Sequence, residues 1–455
     1  MNKLYLNLFI KSEILAKIMI KFKYYKIIIC LALLNNRIMT TSNTTMIAAI
    51  QANKTSVVDR ISDPDLWKDF LDKKGEVEYN SQRVKHYRDL LTDASVLSTI
   101  TDIRTGIHEF SIPRKKLISK FHSGKKRAVY TFHEDEMLAL RLLSFALHDY
   151  DHLFSDSLYS FRSGYGVRDA IIKLRFTKDI DCMYGYKADI HNYFNSIDVK
   201  RLLSDMSSEL DDIRLLNLFD KLLSDSRSEY GGEIIEEEKG VMAGTPVSPF
   251  LANYFLRDVD DYFSKKDCTY MRYADDILIL TKNKSDLEGL REDLLNMITA
   301  KGLEMNPKKE QFFQPGEKFN FLGFSISKER VDISPVTVEK MKGKIKRSSR
   351  SIRRWMLNKK APVRGTIRAM IRTYNNRFFG YEDTELSWAR WYFPSITTDE
   401  SLREIDNYLQ ERIRYIATGK FNKKNYEAFT YEMMKECGYR TLVNEYYSSL
   451  EPKND

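Results

Sequence analysis

Thr269 to Leu280 reads TYMRYADDILIL, which sets two adjacent carboxylates, Asp275 and Asp276, inside an apolar, β-branched run. Burying unpaired negative charge is costly. The run therefore reads as a hairpin of two short strands that turns at the acids, where water or a cation reaches them. A second short strand, YGYKADI from Tyr184 to Ile190, carries Asp189 in the corresponding place. Asp189 and Asp275 each follow an apolar-rich strand, which puts them side by side at strand ends. Carboxylate oxygens suit Mg²⁺, which keeps part of its water and takes phosphate oxygens from a substrate. Two such ions about 4 Å apart activate an attacking hydroxyl and stabilise the leaving oxygen of an in-line displacement. The pattern points to phosphoryl transfer.

The rest of the chain fits a large mixed protein. Its 455 residues are 43% hydrophobic and 30% charged, enough for a sizeable core and two or three subdomains. A net charge of +9 suits a polyanionic partner. The cysteines Cys30, Cys182, Cys268 and Cys437 form no CxxC pair. That argues against a zinc ribbon or disulfide framework and for a reducing, cytoplasmic setting. All seven histidines fall at or before His191, so an HNH nuclease cannot be built from the residues beyond it. Gly164 and Gly166 belong to no Walker pattern and read as a turn.

Near the start, YYKIIICLALL (Tyr24–Leu34) lies behind several lysines and is too short to span a membrane. Residues 1–45 are expected to be a dispensable tail, with Met39 and Met46 as alternative starts. An ordered helix and a signal segment stay open, since periodicity does not separate them. Residues 46–105 read as a helical extension. Lys125–Phe132 reads as a strand, and Glu134–Tyr150 as a helix with Met137, Leu140, Leu143 and Leu147 on one stripe. Phe319–Ile326 is strand-like. Strands mixed with helices, without regular alternation, give an α+β fold.

After Ser334-Pro335 the character changes. Fourteen Lys or Arg and no Asp or Glu lie between Lys340 and Tyr381. Met341, Ile345, Ile352 and Met356 keep helical spacing beneath them. A second helix follows, with Thr397 and Glu400 as an expected capping box, Leu402, Ile405, Leu409 and Ile413 as its stripe and Gly419 as its stop. Residues 335–455 are expected to form a separate, mainly helical domain. Interleaved Trp355, Tyr374 and Phe378 favour nucleic-acid contact over a merely solvated face. Lys342, Lys346, Arg350, Arg353, Arg354 and Arg368 are the expected phosphate contacts.

The motifs GKKRAVYTF, SLYSFRSGYGVRDAI, YKADIHNYFNSID, GVMAGTPVSPFLANYFL, YADD, GLEMNPKKEQF and FNFLGFSI occur in that order from roughly Ile112 to Ile333. Together they resemble the reverse transcriptases, and among them the bacterial group II intron, retron and phage-defence types. The resemblance implies a right-hand polymerase: fingers and palm over residues 106–334, with an antiparallel palm sheet, then a helical thumb. It implies two Mg²⁺ ions held by Asp189, Asp275 and, as a lesser ligand, Asp276, with the Ile190 carbonyl completing one shell. Phe194 matches the aromatic gate that excludes a ribose 2′-hydroxyl. Arg127 and Lys125 match the residues that hold the triphosphate. Lys309 matches the lysine that protonates the leaving pyrophosphate, and Phe319–Ile326 the primer grip.

One motif departs from the family. Where Pro-Gln-Gly is usual, this chain has Met242-Ala243-Gly244, so Ala243 brings no side-chain hydrogen bond to the nucleotide while Gly244 keeps the permissive backbone. The implied partners are dNTPs, an RNA template, expected to be a structured non-coding RNA, and a DNA product. The expected setting is the cytoplasm, without stable membrane association, and homo-oligomerisation stays open. The expected role is templated DNA synthesis in anti-phage defence. Two alternatives stand beside it: protein-primed or template-independent synthesis of abortive-infection type, and a maturase-like RNA-binding protein that needs no catalysis.

Overall fold

The computed structural model describes residues 56–78, 81–119, 126–328, 330–380 and 387–451; Lys125 and the expected tail lie outside these. Three helices open the described body: α1 (Pro64–Glu78), α2 (Ser81–Leu90) and α3 (Ala94–Thr105). Asp93 caps α3 by accepting from the Ser95 amide, and Gly106 ends it in the left-handed region. Strands β1 (Arg114–Ser119) and β2 (Lys126–Thr131) follow, then α4 (Glu134–Ala146). The stripe Met137, Leu140, Leu143 and Leu147 is buried, as its spacing predicts. The α-helix stops at Ala146, however, and Leu147–Leu153 tightens into a 3-10 turn. There the His152 ring bonds the Asp149 carbonyl at 2.8 Å.

The middle of the chain runs through α5 (Val167–Arg175), β3 (Tyr184–Asp189), α6 (Tyr193–Ser196), α7 (Val199–Glu209) and α8 (Ile213–Leu223). It continues with β4 (Arg227–Tyr230), β5 (Glu233–Glu236), α9 (Ser248–Phe255), α10 (Arg257–Ser264), β6 (Thr269–Tyr273), β7 (Asp276–Thr281) and α11 (Lys284–Ala300). Strands β8 (Gln311–Phe313), β9 (Phe319–Phe321), β10 (Phe324–Ser327) and β11 (Arg330–Ile333) complete the sheets. Helices α12 (Pro335–Lys359), α13 (Val363–Phe379), α14 (Trp388–Tyr392) and α15 (Glu400–Thr418) follow, then α16 (Asn425–Ala428), α17 (Tyr431–Glu436) and α18 (Leu442–Leu450).

Three sheets result, with orders β2-β1-β4-β5, β6-β7-β3-β8 and β9-β10-β11. The second is antiparallel throughout and carries the acids. Its central strand β7 is apolar at consecutive positions because both of its faces are covered. Ile277 and Ile279 join one core, with α4, α7, α8 and α9. Leu278 and Leu280 join another, with α5 and the helices beyond Ser334. Those later helices therefore share this second core with α5 and β8–β11 rather than forming a core of their own.

Ser334 caps α12 through the Thr337 amide, and Pro335 takes a first-turn position that needs no amide donor. On α15 the stripe is buried and Gly419 ends the helix at φ +75°. The expected capping box is not formed. Asp399 is the N-cap, and Thr397 pairs with β11: its amide donates to the Val331 carbonyl at 2.8 Å, and its hydroxyl accepts from the Val331 amide at 2.9 Å. Among the described residues no helix is long and apolar enough to cross a membrane.

Candidate active site

The acids meet at one end of the central sheet. Register pairs Asp189, the last residue of β3, with Asp276, the first of β7. Asp275 lies in the two-residue turn before β7, and its carbonyl accepts from the Ile190 amide at 3.1 Å. Asp189 is buried, and Asp275 and Asp276 are half-buried. Burial, reinforced by Asp189 and Asp276, raises the Asp275 carboxyl to about 6. Burial also raises Asp276, with Lys187 opposing and Asp189 adding to the shift.

Lys309 comes from the loop before β8 and ion-pairs with Asp189 Oδ2. Asn306 fixes the same strand end: its amide donates to the Asp189 carbonyl at 2.7 Å and its side chain to Oδ1 at 3.3 Å. Burial pulls the Lys309 ammonium down, but the Asp189 hydrogen bond and the three carboxylates outweigh it and hold the pKa above its ordinary value. The donor set is all oxygen, and it crowds negative charge that a divalent cation relieves. It therefore fits Mg²⁺, provided Lys309 releases Asp189.

On the nucleotide side, Arg127 projects from β2 with its guanidinium 5.6 Å from the Phe194 ring centroid. Phe194 is half-buried on α6, and its ring lies 6.4 Å from Phe161. Phe161 lies 6.2 Å from Tyr273, which borders the acid turn. The Met242–Gly244 loop closes this wall from behind. The Ala243 carbonyl accepts from the Tyr130 amide at 2.8 Å, and its amide donates to Asn195 Oδ1 at 3.1 Å. Ala243 is buried, so the departure from glutamine leaves no side chain in the cleft. Gly244 has φ +108°, and a Cβ there would lie 3.0 Å from the Tyr130 carbonyl oxygen. His191 is exposed and outside the acid cluster, as expected.

Phe161 is the residue that sequence reasoning missed. It sits within SLYSFRSGYGVRDAI, a motif that carries the family resemblance but assigns Phe161 no role of its own. Its signal is conformational: φ is +55° at a non-glycine residue, a region such residues seldom adopt.

The basic helices divide into two groups. Lys346, Arg350, Arg354 and Arg368 are exposed. Lys342 and Arg353, also expected as phosphate contacts, are engaged within the protein. Lys342 bridges Glu339 at 2.6 Å and Glu404 of α15 at 2.8 Å, and the Arg353 Nη1 donates to the Ile416 carbonyl of α15 at 2.7 Å. Helix α12 packs against both α13 and α15, so its buried arc is wider than the single apolar stripe suggests. Among the described residues, the group of three acid, histidine or cysteine side chains whose ligand atoms all lie within 4.8 Å of one another is instead His133, Asp135 and Glu136. It is occupied by local bonds: Glu136 accepts from the Ser111 amide at 2.6 Å and the His133 amide at 3.2 Å, and Asp135 accepts from Thr99 at 2.7 Å.

A sheet that presents three acids at one end, beside an arginine-bearing strand pair, offers oxygen ligands for cations next to a cationic group suited to phosphate. Residues 114–326 match the family model described as reverse transcriptase (RNA-dependent DNA polymerase), and the chain carries a domain of that family. Among curated relatives, an uncharacterised 91 kDa protein in the cob intron of Schizosaccharomyces pombe is 28% identical over 36% of this chain and 20% of its own. The retron Ec86 reverse transcriptase of Escherichia coli is 30% identical over 22% of this chain and 33% of its own. The chain thus spans a third or less of either relative. A structure of apo telomerase from Candida tropicalis aligns over 76% of this chain and 68% of its own, at 13% identity and a TM-score of 0.41.

Proposed function

We propose that this protein is an RNA-directed DNA polymerase that extends a primer 3′-hydroxyl with dNTPs. The observation that carries the reading is the register that sets Asp189 against Asp276 and bonds Ile190 to Asp275. Asp189, Asp275, Asp276 and the Ile190 carbonyl would hold two Mg²⁺ ions, which when bound supply Lewis acidity at the reacting phosphate and its two flanking oxygens. Arg127 orients the triphosphate through its planar fork. Phe194 crowds the ribose 2′ position and so favours deoxynucleotides. Lys309, freed from Asp189, gives its proton to the departing pyrophosphate. Exposed Lys346, Arg350, Arg354 and Arg368 hold the duplex by its phosphates, without reading sequence.

The template we infer is a dedicated, structured non-coding RNA, and the setting cytoplasmic anti-phage defence; the similarity to a retron reverse transcriptase supports this. The buried Ala243, which offers no side chain to a templated nucleotide, favours a second reading, template-independent synthesis. One experiment separates the two. The protein is purified, its co-purifying RNA is sequenced, and labelled dNTPs are supplied with Mg²⁺. DNA that mirrors the bound RNA supports the first reading; DNA unrelated to any bound RNA supports the second. No incorporation on any template sinks both. A phage challenge of the intact locus tests the defence role, and lack of protection against a broad phage panel counts against it.

A further inference from the structure

Beneath the acid hairpin lies a buried polar network that the chemistry above does not use. Arg272 of β6 and Asp260 of α10 are both fully buried and form a bidentate pair, with Nε to Oδ1 at 2.7 Å. The Tyr270 hydroxyl donates to the same oxygen at 2.9 Å. The remaining guanidinium donors reach backbone: Nη1 to the Ala274 carbonyl at 3.3 Å and Nη2 to the Asn253 carbonyl at 3.2 Å. Ser160 closes the network. Its hydroxyl accepts from the Ala274 amide at 2.9 Å and donates to Asn253 Oδ1 at 3.2 Å, and the Asn253 side-chain amide returns to the Ser160 carbonyl at 2.8 Å.

Two left-handed residues flank this cluster: Ala274 at φ +56° and Phe161 at φ +55°. Such a conformation costs a non-glycine residue roughly 1–2 kcal/mol, so its surroundings must impose it. Ala274 directly precedes Asp275, and both of its backbone groups are held from below, the amide by Ser160 and the carbonyl by Arg272. Phe161 directly follows Ser160, and its ring packs beside Phe194 and Tyr273. A buried ion pair adds little net stability over an apolar pair of similar volume. What this one supplies is a fixed geometry that ends on both strained residues.

We propose that Ser160 and Asn253, seated on the Arg272–Asp260 pair, are positioning residues that set the spacing between the cation-binding acids and the nucleotide-side aromatic wall. They touch neither nucleotide nor cation and act through Ala274 and Phe161. The proposal rests on the polymerase reading.

The test uses the full chain, with Ser160→Ala to remove the hydroxyl and Ser160→Cys to weaken it. Three quantities are read: the single-turnover rate of dNTP incorporation, its dependence on Mg²⁺ concentration, and the melting-temperature shift when Mg²⁺ is added without nucleotide. The expected result for Ser160→Ala is a rate about 10- to 100-fold lower, from misplaced reacting groups. Half-saturating Mg²⁺ rises several-fold, the Mg²⁺-induced shift shrinks, Ser160→Cys falls between, and RNA retention is unchanged. A variant with wild-type rate and wild-type Mg²⁺ dependence overturns the proposal. So does a loss of rate that disappears when the assay is cooled below the variant's melting range. If Ser160→Ala does not fold, Ser160→Cys decides by the same readouts. If the wild type incorporates nothing, the polymerase reading fails, while the Mg²⁺-induced shift in wild type and variants still judges the positioning claim.

Discussion

The acid hairpin and the basic helices after Ser334 are both dense in charge, yet they obey different rules. At the hairpin, charge is buried or half-buried and every position is tied to a neighbouring strand. On α12, charge is spread around the helix, and the sequence marks Lys342 and Arg353 no differently from Arg350 and Arg354. The structure separates them: the first two hold α15, the others face outward. A carboxylate in an apolar strand has few explanations, whereas a lysine on a helix has many.

Four experiments break or sharpen that contrast. The largest effect is expected from Asp275→Ala, which should lower nucleotide incorporation by about 10³-fold or more, read by primer extension, because an interaction present in the transition state is lost. RNA retention should stay intact; its loss would make the hairpin a structural element rather than a reaction centre. Asp260→Ala should cost about 3–5 kcal/mol in denaturant unfolding, since it strands the Arg272 guanidinium without its partner. A loss under about 1 kcal/mol would mean that the network under the hairpin is slack.

A pH series comes next. The folded Asp275 carboxyl sits near 6, above its ordinary 3.8. The folded chain therefore keeps a proton that the unfolded chain has already released. Stability from this group is full below the lower value and is lost as pH rises through about 6, by roughly 2–3 kcal/mol. Mg²⁺ should restore it at neutral pH, and Asp275→Asn should remove that part of the slope. Equal pH profiles for wild type and Asp275→Asn would contradict the crowding of the acids.

The smallest effects test the helices. Arg350→Ala or Arg354→Ala should weaken duplex binding and reduce the magnitude of its log–log salt slope by about 1 each. Arg353→Ala should leave that slope alone and cost about 1 kcal/mol of stability. Identical salt slopes for all three variants would dissolve the distinction between packing and contact arginines.

Much of this was legible beforehand because the chemistry constrains the sequence. Asp189, Asp275 and Asp276 were readable as acids misplaced in apolar strands, and Leu402, Ile405, Leu409 and Ile413 as a stripe of period 3.6. What escaped notice depends on contacts between residues distant in the chain. Nothing in the spacing of Ser160, Asn253 and Asp260 says that they converge on Ala274. One clue was present: Arg272 stands beside Met271 within a strand flanked by buried residues, and a cation there calls for a buried partner. Thr397 misled for the opposite reason. Its local pattern fits a cap, but an edge strand, β11, engages both its amide and the hydroxyl that a cap would need.

Leu278 and Leu280 leave β7 on the side opposite Ile277 and Ile279, so one six-residue strand is a party wall between two apolar compartments. The trailing helices share the second compartment with α5 and β8–β11 and are not a detachable module. A chimera that exchanged residues 335–455 for those of a relative would have to bring matching tenants for Val331 and Ile333 of β11, the strand that α15 meets. Without them, the room left empty would be the one that backs the strand on which Asp276 stands.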